Sequence, residues 1–149
     1  MLNVLVVDDS LFMRKSLEKL LEELGHKVVK AVKDGHEAVS AYETLHPDLV
    51  TMDIDMPIMN GLEALSVIKR KHKDANIIMT TAKGSDKIVK ASIRAGAKNY
   101  ILKPITVQKL HEAIIKIFPE ETMDLNTKRE KSQEKEKIDP FYELGSDDD

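Results

Sequence analysis

The chain has 149 residues, with 23 Lys and Arg against 26 Asp and Glu, a formal net charge of −3, 42% hydrophobic and 4% aromatic residues, and neither Cys nor Trp. That size suits one domain of roughly 100–150 residues with an aliphatic core, and the lack of Cys excludes disulfides, thiolate nucleophiles and thiolate metal sites and fits a reducing compartment. The five His, at 26, 36, 46, 72 and 111, include no i, i+4 pair, which argues against a zinc enzyme.

Five short apolar runs rich in β-branched residues read as strands: Leu2 to Val7, Lys27 to Val32, Leu49 to Met52, Asn76 to Thr80 and Asn99 to Leu102. Their hydrophobicity is nearly continuous instead of alternating, so each is expected to be buried on both faces. The intervening segments carry apolar residues three and four apart, which puts them on one face of a helix. Met13, Leu17, Leu20, Leu21 and Leu24 form the first set, and Ala38, Ala41, Tyr42 and Leu45 the second. Leu62, Leu65 and Ile68 follow, then Ile88, Ala91 and Ala95, and last Val107, Leu110, Ile114 and Ile117. Gly25 and Gly96 sit where left-handed helix ends are cheap, Pro47 stops the second helix, and Thr106 can cap the fifth. Five strand-helix units within residues 1–118 give an open parallel sheet covered by helices on both sides, while a closed barrel of eight units needs about 250 residues.

From Pro119 onward the chain is polar and mixed in charge, and residues 119–149 read as a flexible or marginally helical tail with a small apolar island at Phe141, Tyr142 and Leu144. Residues 1–118 hold 18 cations and 15 anions, and 119–149 hold 5 and 11. Neither part is basic enough to draw in nucleic acid. The first apolar run is too short for a signal-peptide core, and nothing approaches the ~20 apolar residues of a bilayer span. A cytoplasmic protein without membrane insertion is expected.

In open parallel sheets, ligands bind outside the carboxyl ends of the strands. The first strand ends in Asp8 and Asp9, the third in Asp53, the fourth in Thr81, and the fifth in Lys103 and Pro104. Singly these have duller explanations: Asp9 or Ser10 can cap a helix, and Asp53 can open a turn with Pro57, Asn60 and Gly61. In sequence, at the same ends of successive strands, they favour a functional site. Three adjoining carboxylates repel and need a cation; Lys103 supplies one charge, and Mg2+, which takes carboxylate, water and phosphate oxygens, supplies two. Such a pocket suits a phosphoryl group, whose transfer requires mainly positioning and charge neutralisation.

The segments Val6-Val7-Asp8-Asp9-Ser10, Met52-Asp53-Ile54-Asp55-Met56-Pro57 with Asn60-Gly61, Thr80-Thr81-Ala82, and Ala95-Gly96-Ala97 leading to Tyr100-Ile101-Leu102-Lys103-Pro104 resemble the receiver domain of two-component response regulators. Ser10, Phe12, Met13 and Arg14 point, within that family, to free-standing chemotaxis regulators. The resemblance covers residues 1 to about 118 and implies a flavodoxin-like, doubly wound five-stranded sheet in the order 2-1-3-4-5 with five helices. It also implies that Asp53 accepts phosphate from a sensor histidine kinase, with Asp8, Asp9, Asp53 and the backbone carbonyl of Asp55 around Mg2+. Lys103 and Thr81 would meet the phosphoryl oxygens, Tyr100 would swing inward with Thr81, and Lys103-Pro104 would be cis. The face formed by the fourth helix, fifth strand and fifth helix would then change its affinity for a flagellar switch or other output protein. Such a protein is a monomeric signalling switch that assists its own phosphorylation and dephosphorylation, not an enzyme acting on others. Asp55 and Lys83, two residues past the acceptor and past Thr81, are expected to pair across the site mouth and slow hydrolysis.

Two alternatives remain open. With only 31 residues after 118, no output domain is expected, so a phosphorelay intermediate that passes the group onward is the second choice within the class. From another class, Asp53-Ile54-Asp55 matches the Asp-x-Asp pair of haloacid-dehalogenase-type phosphatases, although it follows the third strand instead of the first and Pro57 stands where Thr or Val belongs. A flavin module is disfavoured because Asp8 and Asp9 would repel its phosphate.

Overall fold

Five strands and five helices alternate in the computed structural model of the protein, which describes residues 1–122. The strands are β1 (Asn3–Val7), β2 (Lys27–Val32), β3 (Leu49–Asp53), β4 (Ile77–Thr81) and β5 (Asn99–Leu102). The helices are α1 (Leu11–Glu23), α2 (Gly35–Leu45), α3 (Gly61–Lys71), α4 (Asp86–Arg94) and α5 (Val107–Ile117), followed by a 3-10 turn at Pro119–Glu121. All strand pairs are parallel and the order is β2-β1-β3-β4-β5, as the resemblance implies. The charged stretch read as a flexible tail lies, from residue 123 on, outside the described residues.

Alternation along the strands divides the apolar side chains between two cores. Leu5, Val7, Val50, Met52, Ile77 and Met79 face α2 and α3, whose Ala38, Ala41, Ala64, Leu65 and Ile68 complete that layer, with Ile88 and Ala95 from the α4 region packed against it. Val4, Val6, Leu49, Ile78 and Ile101 face α1 and α5 through Leu17, Leu21, Leu24, Leu110 and Ile114. Helices therefore cover both faces, and β3 and β4 are buried along their whole length.

The expectation that every strand is buried on both faces fails at the edges. Only the last residue of β2 is buried, and β5 buries Ile101 while Tyr100 and Leu102 stay exposed. An edge strand has one neighbour, and its outward side chains lack a second layer to close over them. Leu45, counted with the apolar face of α2, is 40% exposed, because the helix ends there at His46 in a left-handed conformation, one residue before Pro47.

Helix starts are fixed by side-chain caps. Ser10, not Asp9, caps α1, and Asp34, Asn60, Ser85 and Thr106 cap the others, each accepting a backbone N–H from the first turn. Gly25 follows α1 at φ +83, a conformation that costs an L side chain steric strain. The Met1 amino group donates to Glu121 Oε1 at 3.1 Å, tying the start of the chain to the turn after α5.

Candidate functional site

The order β1-β3-β4-β5 brings the ends of four strands into a row, and the chemistry-bearing residues stand at or just past those ends. Asp8 extends β1 by one residue, its N–H donating to the Val32 carbonyl at 3.0 Å. Its carboxylate is fully buried. Oδ1 accepts from the Ser10 N–H at 2.9 Å, and Oδ2 from the Lys103 ammonium at 2.9 Å. The same ammonium lies 3.3 Å from Asp53 Oδ1, so one cation bridges two carboxylates that are remote from it in sequence. Asp9, exposed, completes a cluster in which one oxygen from each of Asp8, Asp9 and Asp53 lies within 4.8 Å of the others. The Lys103-Pro104 bond is cis.

Burial and crowding set the electrostatics. Loss of solvent, and after it the charge of Asp8, pushes the Asp53 carboxyl up from 3.8 to about 6, against the pull of Lys103. Burial by itself would lower Lys103, but its hydrogen bond to Asp8 and the charges of both carboxylates outweigh this and raise it. Fully ionised, three carboxylates and one ammonium leave two negative charges uncompensated at the mouth of the sheet. A divalent ion cancels that excess, and the donors are hard oxygens of the kind Mg2+ takes, so the residues present fit the ion.

The remaining sequence candidates are placed less directly. Thr81 is buried beside the site, but its hydroxyl is engaged in a local turn: Oγ1 accepts from the Lys83 N–H at 3.0 Å and donates to the Lys83 carbonyl at 3.1 Å. Tyr100 pairs with Met79 in the ladder, two residues before the site level, and its ring is 41% exposed on the outer face of β5. Asp55 and Lys83 are exposed on the loops after β3 and β4, and among the described residues no ion pair joins them.

Two residues that the sequence marks only as turn and motif members also hold the site. Arg14 Nη1 donates to the Asp8 carbonyl at 2.8 Å, so α1 holds the acidic segment by its backbone as well as through the Ser10 cap. Long helical side chains lean toward the helix N-terminus, and an Arg one turn past the cap is the available signal. Gly61 is the second. Its N–H donates to the Ile54 carbonyl at 2.8 Å, and a Cβ there would collide with the Asp53 carbonyl oxygen, so α3 starts directly against the strand end that carries Asp53. Asn60 and Glu63 lock that start with a reciprocal capping box.

Comparison with known proteins agrees with this geometry. The sequence profile of the response regulator receiver domain matches residues 4–115. Chemotaxis protein CheY of Thermotoga maritima is 42% identical over 114 residues, which cover 76% of this chain and 95% of that protein. Chemotaxis protein CheY of Bacillus subtilis is 44% identical over 113 residues, covering 76% and 94%. Among solved structures, the CheX-CheY-BeF3-Mg+2 complex from Borrelia burgdorferi superposes with a TM-score of 0.76 at 38% identity, covering 78% of this chain and 88% of that one. With the fold, the strand-end residues and these similarities in agreement, the chain belongs to the response regulator receiver domain family.

Proposed function

We propose that this protein is a response regulator, acting in chemotaxis, whose Asp53 takes a phosphoryl group from the phosphohistidine of a sensor kinase. The observation that carries the reading is the bridging of Asp8 and Asp53 by Lys103 inside the three-carboxylate cluster. An oxygen of Asp53 attacks phosphorus, the new O–P bond forms as the P–N bond breaks, and the electron pair returns to the donor imidazole, which is reprotonated from solvent. Asp8, Asp9, Asp53 and the Asp55 carbonyl would hold Mg2+, which when bound supplies positive charge against the carboxylates and the phosphoryl oxygens. Lys103 is already within hydrogen-bond distance of Asp53 and can follow the added oxygens.

Thr81 can bond the phosphoryl group only by releasing the Lys83 carbonyl, so phosphorylation draws the β4–α4 loop toward the site. The space Thr81 vacates admits Tyr100, and the α4–β5–α5 face then changes its affinity for a flagellar switch or other output protein. Asp55 and Lys83 flank the path of a hydrolytic water and tune the lifetime of the acyl phosphate. The protein acts as a cytoplasmic monomer and binds no nucleic acid. Among the described residues, no helix is long and apolar enough to cross a membrane. The phosphatase alternative is disfavoured because the Asp55 carboxylate stands outside the acidic cluster.

Incubation with phosphohistidine donors of chemotaxis and relay type, followed by capture of partners with and without a phosphoryl mimic, tests the reading. Transfer from the chemotaxis donor to wild type but not to Asp53→Asn, with mimic-dependent capture of a motor component, is expected. Transfer only from the relay donor, onward transfer to another histidine protein, or repeated turnover of a simple phosphate ester would overturn it.

A further inference from the structure

The outer side of β5 presents Tyr100 and Leu102, 41% and 44% exposed, and the neighbouring α4 presents Ile93, 48% exposed. Tyr100 and Leu102 line a groove of about 310 Å³ between β5 and α5, whose far wall is formed by Lys109, Glu112, Ala113 and Lys116. The surroundings are basic. Between residues 86 and 117, Lys103 aside, six cations stand against two carboxylates, Asp86 and Glu112. A groove that offers exposed Tyr100 and Leu102 beside two lysines in a basic face suits an acidic segment with aromatic or aliphatic anchors.

This chain carries such a segment. Residues 138–149 hold five carboxylate side chains and no cation, and they surround the island of Phe141, Tyr142 and Leu144. The segment lies beyond residues 4–115, the part that matches the family, and beyond a 114-residue match that already spans 95% of one relative. The mixed-charge stretch of Lys128 to Lys137 separates it from the domain. Nineteen positions separate Thr122 from Phe141. By the random-coil relation a stretch of that length reaches on the order of 25 Å, more than the ~16 Å length of α5. When linker reach matches the span, the effective concentration is of millimolar order, so even a weak contact is well populated.

We infer that residues 138–149 dock in the groove between β5 and α5 of the same molecule, with Phe141, Tyr142 and Leu144 against Tyr100 and Leu102 and the carboxylates toward Lys109 and Lys116. A partner that uses this face must displace the segment. With an intramolecular affinity on the order of 0.1 mM and an effective concentration on the order of 1 mM, apparent partner affinity falls about tenfold. That consequence rests on the function proposed above; the docking itself does not.

The test compares amide NMR spectra of the full chain with those of the full chain carrying Phe141→Ser, Tyr142→Ser and Leu144→Ser, without partner or phosphodonor. Outside the substituted segment itself, shift differences confined to residues 93–116 and independent of protein concentration are expected. They should shrink at about 0.5 M salt and in a Lys109→Glu, Lys116→Glu background, and a peptide of residues 138–149 added to the triple variant should restore them. Superimposable spectra over 93–116, differences centred elsewhere, or differences that grow with protein concentration and so report a second copy would overturn the inference. Because no phosphate is used, failure here is distinct from failure of Asp53 to accept a phosphoryl group.

Discussion

Replacing Asp53 by Asn measures what burying a charge at the site costs the fold, without any phosphodonor. The Asp53 carboxyl is held at about 6 against an ordinary 3.8, first by burial and then by the charge of Asp8. Two pH units at 1.36 kcal/mol each set a ceiling of about 3 kcal/mol on what its ionisation costs the fold. Solvent reaches the cluster past the exposed Asp9, and the bond from Lys103 at 3.3 Å weakens, because an Asn oxygen still accepts but carries no charge. Screening and that weakened bond reduce the expected gain of Asp53→Asn to about 1–2 kcal/mol in metal-free protein at pH 8. The pH dependence has a definite sign. Since the folded state holds the proton more tightly than the unfolded state, native stability falls as pH rises from near 4 through about 6. The advantage of Asn is therefore full at pH 8, partial between 4 and 6, and absent below. Urea unfolding in chelator across pH 4–8 reads it directly. Equal or lower stability of the variant at pH 8, or a gain of the same size at pH 4, would refute the electrostatic account.

Lys103→Met leaves fully buried Asp8 without its cation and is expected to destabilise the metal-free protein by about 3 kcal/mol; adding Mg2+ should recover part of that in unfolding curves and phosphodonor labelling should fall more than tenfold. Gly61→Ala forces α3 away from the Asp53 carbonyl and should cost about 2–3 kcal/mol by urea unfolding, where a neutral result would contradict the close approach. Lys83→Ala should shorten the acyl-phosphate lifetime, read by the decay of radiolabel; an unchanged lifetime removes the tuning role of Asp55 and Lys83.

The ends of the central strands were legible in the sequence because burial on both faces leaves a plain signature: Leu49 to Met52 and Asn76 to Thr80 are apolar or β-branched almost throughout, and polar groups resume where the sheet stops. Asp8, Asp53 and Lys103 could be picked out at those ends, and the sheet order sets their ends side by side. The edge strands misled for the opposite reason. Tyr100 and Leu102 look like core residues in a list of side chains, yet on the edge strand β5 they stay 41% and 44% exposed, because no further strand lies beyond them. Hydrophobicity reports what a residue prefers, and neighbours decide whether the preference is met. The contact of Gly61 with the end of β3 is a backbone approach set by how α3 packs, which no spacing rule encodes, while the side-chain bond from Arg14 to the Asp8 carbonyl is signalled only by an Arg one turn past the cap. Thr81 was visible as a strand-end hydroxyl, whereas its local bonds to Lys83 depend on the turn that follows.

The central claim is that the carboxylate bridged to Asp8 by Lys103 is the one that becomes esterified. Peptide-level mass spectrometry after exposure to a reactive small phosphodonor, in Mg2+ and in chelator, tests it most directly. A single metal-dependent label on Asp53, absent from Asp53→Asn, is the predicted result. Labelling at another residue, or none on Asp53 with the metal present, would contradict it.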